Sequence, residues 1–330
     1  MKDREKQLVF NGPYGDSCYL YVDYKKSLGY KFGESSLYSL RYMDDFFKKY
    51  SIGIPFLTKE MAEDYTAKRG NESAKTQHTR MSLIRQFAIF MNNTGYVFYV
   101  HPKELIPIVK KFTPYIFTRD EINSILKVVD NLAATPWSIH YHLIYPMLFR
   151  MLYCCGLRIN EALSLKNSDV DVKNGILTVT KAKLNTSRLV PMSKSLTDYC
   201  KIYVMKMGLD MNSTGYFYPS RDQGKYNRNP VYVKLKQFMK EANIFTDGSV
   251  GPRVHDLRHT FSVHSLEKMV ADGQDIYCAL PVLSTYLGHR GIESTEGYLR
   301  LTQEAYAGII NLMSPLYESV FPEVTFIEEQ

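Results

Sequence analysis

Apolar positions along the first third of the chain recur at helical spacing. Leu37, Leu40, Met43, Phe47 and Tyr50 follow one another at three- and four-residue steps, as do Leu83, Ile84, Phe87, Phe90 and Met91, so each set predicts a helix with one apolar face. The second of these helices is preceded by Lys75 and carries His78, Arg80 and Arg85 on the side expected to face away from the apolar set. Such a basic side is either a solvated face or a surface for a polyanion. Asn92-Asn93-Thr94-Gly95 supplies turn residues that end the helix. The segment after it contains Pro102, Pro114 and the lysines 103, 110 and 111, and is expected to be a linker at about 96–115.

Beyond the linker, Thr118 followed by Glu121 is a capping-box signature that opens a helix carrying Ile122, Ile125 and Leu126. Ile176 to Thr180 and Ser187 to Pro191 are β-favouring stretches around a polar turn that holds Lys183 and Asn185, which predicts a hairpin. The remainder reads as helix, without a fixed-period repeat or a low-complexity tract. The expected fold is mainly α with a small β-hairpin or sheet, an α+β chain. A length of 330 residues exceeds the size at which a single core stops growing and implies two domains, 1–112 and 116–330.

Composition excludes several classes. Hydrophobic and charged shares of 45% and 23% are those of a soluble globular protein, and no run reaches the roughly 18 apolar residues of a membrane span. Met1 to Gln7 is charged and no apolar signal core follows it, so a cytoplasmic location is expected. Cys18, Cys154, Cys155, Cys200 and Cys278 lack metal-ligand spacing and are expected to be reduced residues of the core. The net charge of +7 suits a polyanionic partner, although charge alone does not identify one.

Three short segments carry the chemistry. Gly156-Leu157-Arg158 is followed by Glu161, His255-Asp256-Leu257-Arg258-His259 lies well downstream, and Leu287-Gly288-His289 precedes Tyr298 by nine residues counted from the histidine. Each segment alone is unremarkable, since an arginine three residues from a glutamate is an ordinary surface pair. In this order and spacing, over roughly residues 118 to 300, they resemble the tyrosine recombinase, or phage integrase, family. The stretch from Arg258 to His289 is longer than in typical integrases. It includes Ala271 to Asp275 as an expected loop, followed by Leu280 to Leu287, and is more similar to transposon-encoded members.

The resemblance implies a helical DNA core-binding domain at 1–112 and a tyrosine recombinase catalytic domain at 116–330 with a C-terminal docking tail at about 301–330. It assigns Arg158, Lys183, His255, Arg258, His289 and Tyr298 to the catalytic set, and implies no cofactor and no metal. It also implies a site-specific recombinase of a mobile element, active in integration or transposition. Four protomers would hold two duplexes, each clamping DNA between its domains and exchanging strands through a 3′-phosphotyrosine and a Holliday junction. Other recombinases or accessory factors of the same element are possible partners. Lys75, His78, Arg80 and Arg85 become candidate DNA contacts.

Elementary chemistry agrees with the assignment. Attack on a phosphodiester builds negative charge on the non-bridging oxygens, and two guanidinium groups supply forked donors that stay charged at any relevant pH. A tyrosine hydroxyl with an ordinary pKa of about 10 needs a base or cationic surroundings, for which His255 is the candidate. The leaving 5′-oxygen needs a proton; Lys183 is placed there by resemblance and Lys181 is the competitor. His289 would hydrogen-bond a phosphate oxygen, while Glu161 would orient Arg158 and His259 would support the site from behind. His255 and His259 also stand at the spacing of a zinc-binding helix, but residue 256 is Asp where that motif needs Glu and a third ligand is not obvious. A topoisomerase of the same chemistry and a binding protein without cleavage are the alternatives. In the tail, Ser314-Pro315 opens and Pro322 closes a two-turn helix whose Leu316, Tyr317, Val320 and Phe321 need a surface to cover them, in their own domain or in a neighbouring protomer.

Overall fold

The computed structural model describes residues 9–30, 32–107, 113–135, 140–181, 186–244 and 251–288. The chain divides into two compact units, Met1–Phe112 and Thr113–Gln330.

The first unit is built on four helices, α1 (Gly15–Ser27), α2 (Glu34–Phe46), α3 (Lys59–Thr66) and α4 (Ala74–Asn93). Side-chain hydroxyls of Thr58 and Ser73 accept the backbone N–H of Met61 and Thr76 and so fix the starts of α3 and α4. Leu40, Met43 and Phe47 from the first predicted face, and Ile84, Phe87 and Met91 from the second, are buried together with Tyr14, Tyr21 and Tyr65 in an aromatic-rich core. The buried Asp44 carboxylate accepts from the backbone N–H of Gly12 and Tyr14 at 2.7 and 2.8 Å, which pins the chain entering α1 to α2. The segment expected to be linker begins with ordered packing. Strand β2 (Val97–Phe98) pairs in parallel with β1 (Phe56–Leu57), and Phe98 and His101 are buried.

The second unit starts with α5 (Arg119–Asp130), and the expected capping box is formed: Thr118 accepts from the N–H of Glu121, whose carboxylate accepts from the N–H of Thr118. Helix α6 (Tyr141–Cys154) is apolar around most of its circumference and runs through the core between α5, α8 (Lys194–Met207) and α10 (Asp256–Ala271). The predicted hairpin is β4 (Ile176–Lys181) against β5 (Thr186–Pro191), joined by a third antiparallel strand, β3 (Val170–Asp171), that the sequence pattern does not mark. In its register Leu177 faces Val190 and Val179 faces Arg188, so an arginine occupies an inward position among buried aliphatics. Helices α9 (Arg228–Glu241) and α11 (Ile276–Leu287) complete the described part.

Two expectations change here. The stretch expected to be a loop from Ala271 is mostly a tight turn: α10 continues through Ala271, Gly273 takes a φ of +85°, and Asp275 caps α11 by accepting from the N–H of Tyr277 and Cys278. The cysteines are all unpaired thiols, but only Cys18, Cys155 and Cys200 lie in the core. Cys154 and Cys278 are exposed, because each lies on a face of its helix turned from the apolar interior.

Candidate active site

The site is assembled at the corner after α6. Gly156 has a φ of +58°, a left-handed conformation that glycine adopts without steric cost. A Cβ at this position would lie 2.4 Å from the Phe261 ring, so the corner requires glycine for space as well as for conformation. Leu157 is buried, and Arg158 then turns extended to open α7 (Ile159–Ala162), a single helical turn. The Arg158 backbone N–H donates to Glu161 Oε2 at 3.0 Å and its Nη1 donates to Oε1 at 2.9 Å. The Arg158 side chain nevertheless keeps 39% of its surface exposed.

Glu161 also receives a second arginine. Arg188, on the inward face of β5, donates through Nη1 to Oε1 at 3.1 Å and through Nη2 to Oε2 at 2.9 Å, a forked pair in which both side chains are nearly buried. Burial alone would raise the pKa of Glu161, but the hydrogen bonds and charge of Arg188, followed by the N–H and charge of Arg158, hold it at about 2. Sequence reasoning placed Arg188 in the hairpin and gave it no role. A cation on the inward side of a half-buried strand was the available signal, since such a charge requires a partner.

Arg258 connects the other segments. Its side chain is almost wholly buried on the first turn of α10, where Nη1 donates to the carbonyl of Gly156 at 2.7 Å and Nη2 to the carbonyl of Leu287 at 2.8 Å. Nη1 also lies 3.7 Å from Glu161. The two expected clamp arginines are therefore not equivalent: Arg158 presents its guanidinium at the surface and Arg258 lies beneath it. Asp256 is fully buried and accepts from the N–H and Nη2 of Arg253 at 2.8 and 3.0 Å, which fixes the start of α10.

His255 immediately precedes α10 and reaches the surface. Desolvation first, then the charges of Arg258 and Arg158, push its pKa below the ordinary histidine value, which favours the neutral form that a base requires. The rings of His255 and His259 meet edge to face with centroids 4.7 Å apart. Among the described residues, no group of three or more His, Cys, Asp and Glu side chains is arranged to hold a metal ion. Lys183, His289, Tyr298 and the helix expected at 314–322 lie outside the described residues; Lys181 ends β4. The structure thus brings together Arg158, Glu161, His255, Arg258 and His259, and adds Arg188.

In the first unit, the expectation for Arg80 is corrected. Arg80 is buried rather than turned away from the apolar face, and Nε and Nη2 grip Glu72 at 3.0 and 2.6 Å while Nη2 also donates to the carbonyl of Ala67 at 3.0 Å. Its charge is consumed inside the unit. Arg85 is half-buried and donates to the carbonyl of His101 at 2.7 Å, and His78 Nδ1 donates to the carbonyl of Pro107 at 2.9 Å. Lys75 is exposed.

The sequence profile of the phage integrase family matches residues 116–305, more than half of the chain. The chain belongs to the phage integrase family. These proteins are tyrosine recombinases, enzymes that cleave and rejoin DNA through a tyrosine intermediate. Tyrosine recombinase XerA of Pyrococcus horikoshii is 30% identical over 198 residues, covering 59% of this chain and 60% of that protein. Among solved structures, the XerH site-specific recombinase bound to a palindromic difH substrate shares the fold with a TM-score of 0.64 at 16% identity, over 86% of this chain and 80% of that one. The Tn1549 transposon integrase in complex with a circular intermediate DNA does so with a TM-score of 0.61 at 15% identity, over 86% and 94%. Within the phage integrase family, this chain is a site-specific recombinase of mainly helical fold with a small sheet. Among the described residues, no helix is long and apolar enough to cross a membrane.

Proposed function

We propose that this recombinase acts on double-stranded DNA with Tyr298 as its nucleophile, and that Arg158, Arg258, His255, Lys183 and His289 serve that attack. The observation that carries the reading is the junction at Arg258, whose side chain bonds the carbonyls of Gly156 and Leu287 and so ties the three motif-bearing segments into one place. His255 takes the phenolic proton as the Tyr298 oxygen forms its bond to phosphorus. The bond from phosphorus to the 5′-oxygen breaks, and that oxygen takes a proton from Lys183. The products are a 3′-phosphotyrosine and a free 5′-hydroxyl. The phosphodiester energy stays in the linkage, so a 5′-hydroxyl from another strand reverses the step without ATP.

Arg158 supplies exposed donors to the non-bridging oxygens, and Arg258 adds fixed positive charge from below, where low dielectric strengthens it. His289 hydrogen-bonds a phosphate oxygen. Four protomers on two duplexes would carry out the exchange in pairs of strands, with the tail helix at 314–322 docked in a neighbour and limiting access to Tyr298. The longer Arg258-to-His289 stretch favours a transposon or a related mobile element as the setting. The unit 1–112 serves as the core-binding domain, with Lys75, His78 and Arg85 as its candidate DNA contacts.

The test is covalent capture. The full chain is incubated with a randomised pool of nicked duplexes in EDTA, and protein–DNA complexes that survive denaturation are recovered and sequenced. Recovery of a common sequence in covalent complex supports the reading, and a protein that binds DNA but never survives denaturation with it overturns the reading.

A further inference from the structure

The pairing of Glu161 is asymmetric. Two arginines hydrogen-bond this carboxylate through their side chains, with Arg258 Nη1 3.7 Å away as a third cation; Arg188 takes both oxygens in a fork while Arg158 reaches one of them with a single side-chain nitrogen. Arg158 stands three residues from Glu161 with no strand between them, so it would close on the carboxylate in the same forked manner if the oxygens were open. A fork would occupy two of its nitrogens and neutralise its charge. Arg188 is held where it can prevent this, because the strand register fixes it opposite Val179 on the inward face of the hairpin.

We infer that Arg188 is a positioning residue for the phosphate step: by saturating Glu161 it keeps the Arg158 guanidinium half-bound and available to the scissile phosphate. The inference rests on the assignment of Arg158 to that phosphate. Arg188 does not itself touch DNA in this scheme. Its removal takes one hydrogen bond from each Glu161 oxygen, leaving the Arg158 backbone N–H on Oε2 and Arg158 Nη1 on Oε1, and the less compensated anionic charge draws the Arg158 guanidinium inward. The same carboxylate that aligns Arg158 in the native site then becomes its competitor for phosphate. In the native site Arg188 first, and then Arg158, offset the effect of burial and keep Glu161 ionised; without Arg188 the charge and backbone N–H of Arg158 still favour the carboxylate form.

The experiment uses the full chain and a nicked duplex obtained by covalent capture, prepared with an ordinary scissile phosphate and with a methylphosphonate there, each diastereomer run separately. A methylphosphonate lacks the negative charge that the clamp neutralises, so a defect in the clamp shrinks on it and a defect in folding does not. Arg188→Met is expected to slow covalent adduct formation at least about tenfold on the phosphate and to show a much smaller deficit on one methylphosphonate diastereomer. Adding Glu161→Gln to Arg188→Met is expected to recover part of the phosphate activity, because a neutral amide releases Arg158. Thermal melting accompanies each variant. If Arg188→Met does not fold, Arg188→Lys, which keeps the charge and loses the fork, is expected to show the same substrate pattern with a smaller deficit. An equal deficit on both substrates, a native rate on the phosphate, or a double variant no faster than the single one overturns the inference. Arg158→Ala is run in parallel. Loss of its activity that shrinks on the methylphosphonate keeps the Arg158 assignment standing whatever Arg188 does, and loss that does not shrink removes both.

Discussion

Arg258 Nη2 donates to the carbonyl of Leu287 at 2.8 Å, across 29 positions of sequence, and thereby anchors the last turn of α11 to the first turn of α10. Gly288 follows in a left-handed conformation at φ +67°, so the chain leaves α11 toward His289 from a fixed point. The same guanidinium holds Gly156 on its other side. A residue expected chiefly to meet phosphate is also the tie between three segments, and its substitution removes buried hydrogen bonds as well as charge.

Gly156→Ala tests the corner. The left-handed conformation costs an alanine about 1 kcal/mol, and overlap with the Phe261 ring adds about 1–3 kcal/mol. Chemical denaturation is expected to show a loss in that range, partly restored by Phe261→Leu. A native unfolding curve for Gly156→Ala would contradict the corner geometry.

Arg80→Ala is expected to destabilise the first unit by about 3–5 kcal/mol, since it leaves Glu72 buried without its partner. Where the variant remains folded, the slope of log K for DNA against log salt should be unchanged. Lys75→Ala should leave stability alone and lower that slope by about one if Lys75 meets a phosphate. The reverse pattern would return Arg80 to the DNA-facing set.

Acid stability has two separable limbs. His264 is buried with Nδ1 2.9 Å from the Tyr153 hydroxyl, and burial, then the charge of Arg119, lowers its pKa from 6.5 to about 4. The unfolded chain therefore takes up the proton first, so this contribution is complete above pH 6.5 and is lost as pH falls toward 4. His255 acts with the same sign. Glu161, lowered from 4.5 to about 2, contributes above pH 4.5 and is lost between 4.5 and 2. His264→Gln should flatten the upper limb and spare the lower one, as measured by urea unfolding at stepped pH. A wild-type stability that does not fall from pH 7 to 4 would contradict the histidine assignment.

Lys183 and Lys181 are separated by the leaving group. A general acid is unnecessary when the scissile 5′-oxygen is replaced by sulfur, so Lys183→Ala should be strongly impaired on ordinary DNA and substantially rescued on the sulfur substrate. Lys181→Ala should show little of either effect. The opposite pattern assigns the proton to Lys181.

The elements with periodic apolar faces were legible because burial imposes its period on the sequence, as at Leu40, Met43 and Phe47 or at Ile122 and Ile125. The capping box at Thr118 and the hairpin were legible for local reasons of the same kind. The Arg158, His255 and Arg258 segments were found through their order along the chain, and the structure brings them together. What was not legible depends on long-range partners. Arg188 meets Glu161 across 27 positions, and Arg80 is neutralised by Glu72 from outside its own helix. Strands of two residues, such as β1 and β2, carry too little pattern to be read at all.

The central claim is that DNA becomes joined to Tyr298. The captured adduct is digested with protease and nuclease, and the peptide carrying the residual nucleotide is identified by mass spectrometry, with Tyr298→Phe protein treated identically. The account predicts one modified peptide containing Tyr298, and DNA binding without any adduct in the Phe variant. A nucleotide on another residue, or an adduct that persists in Tyr298→Phe, would contradict it.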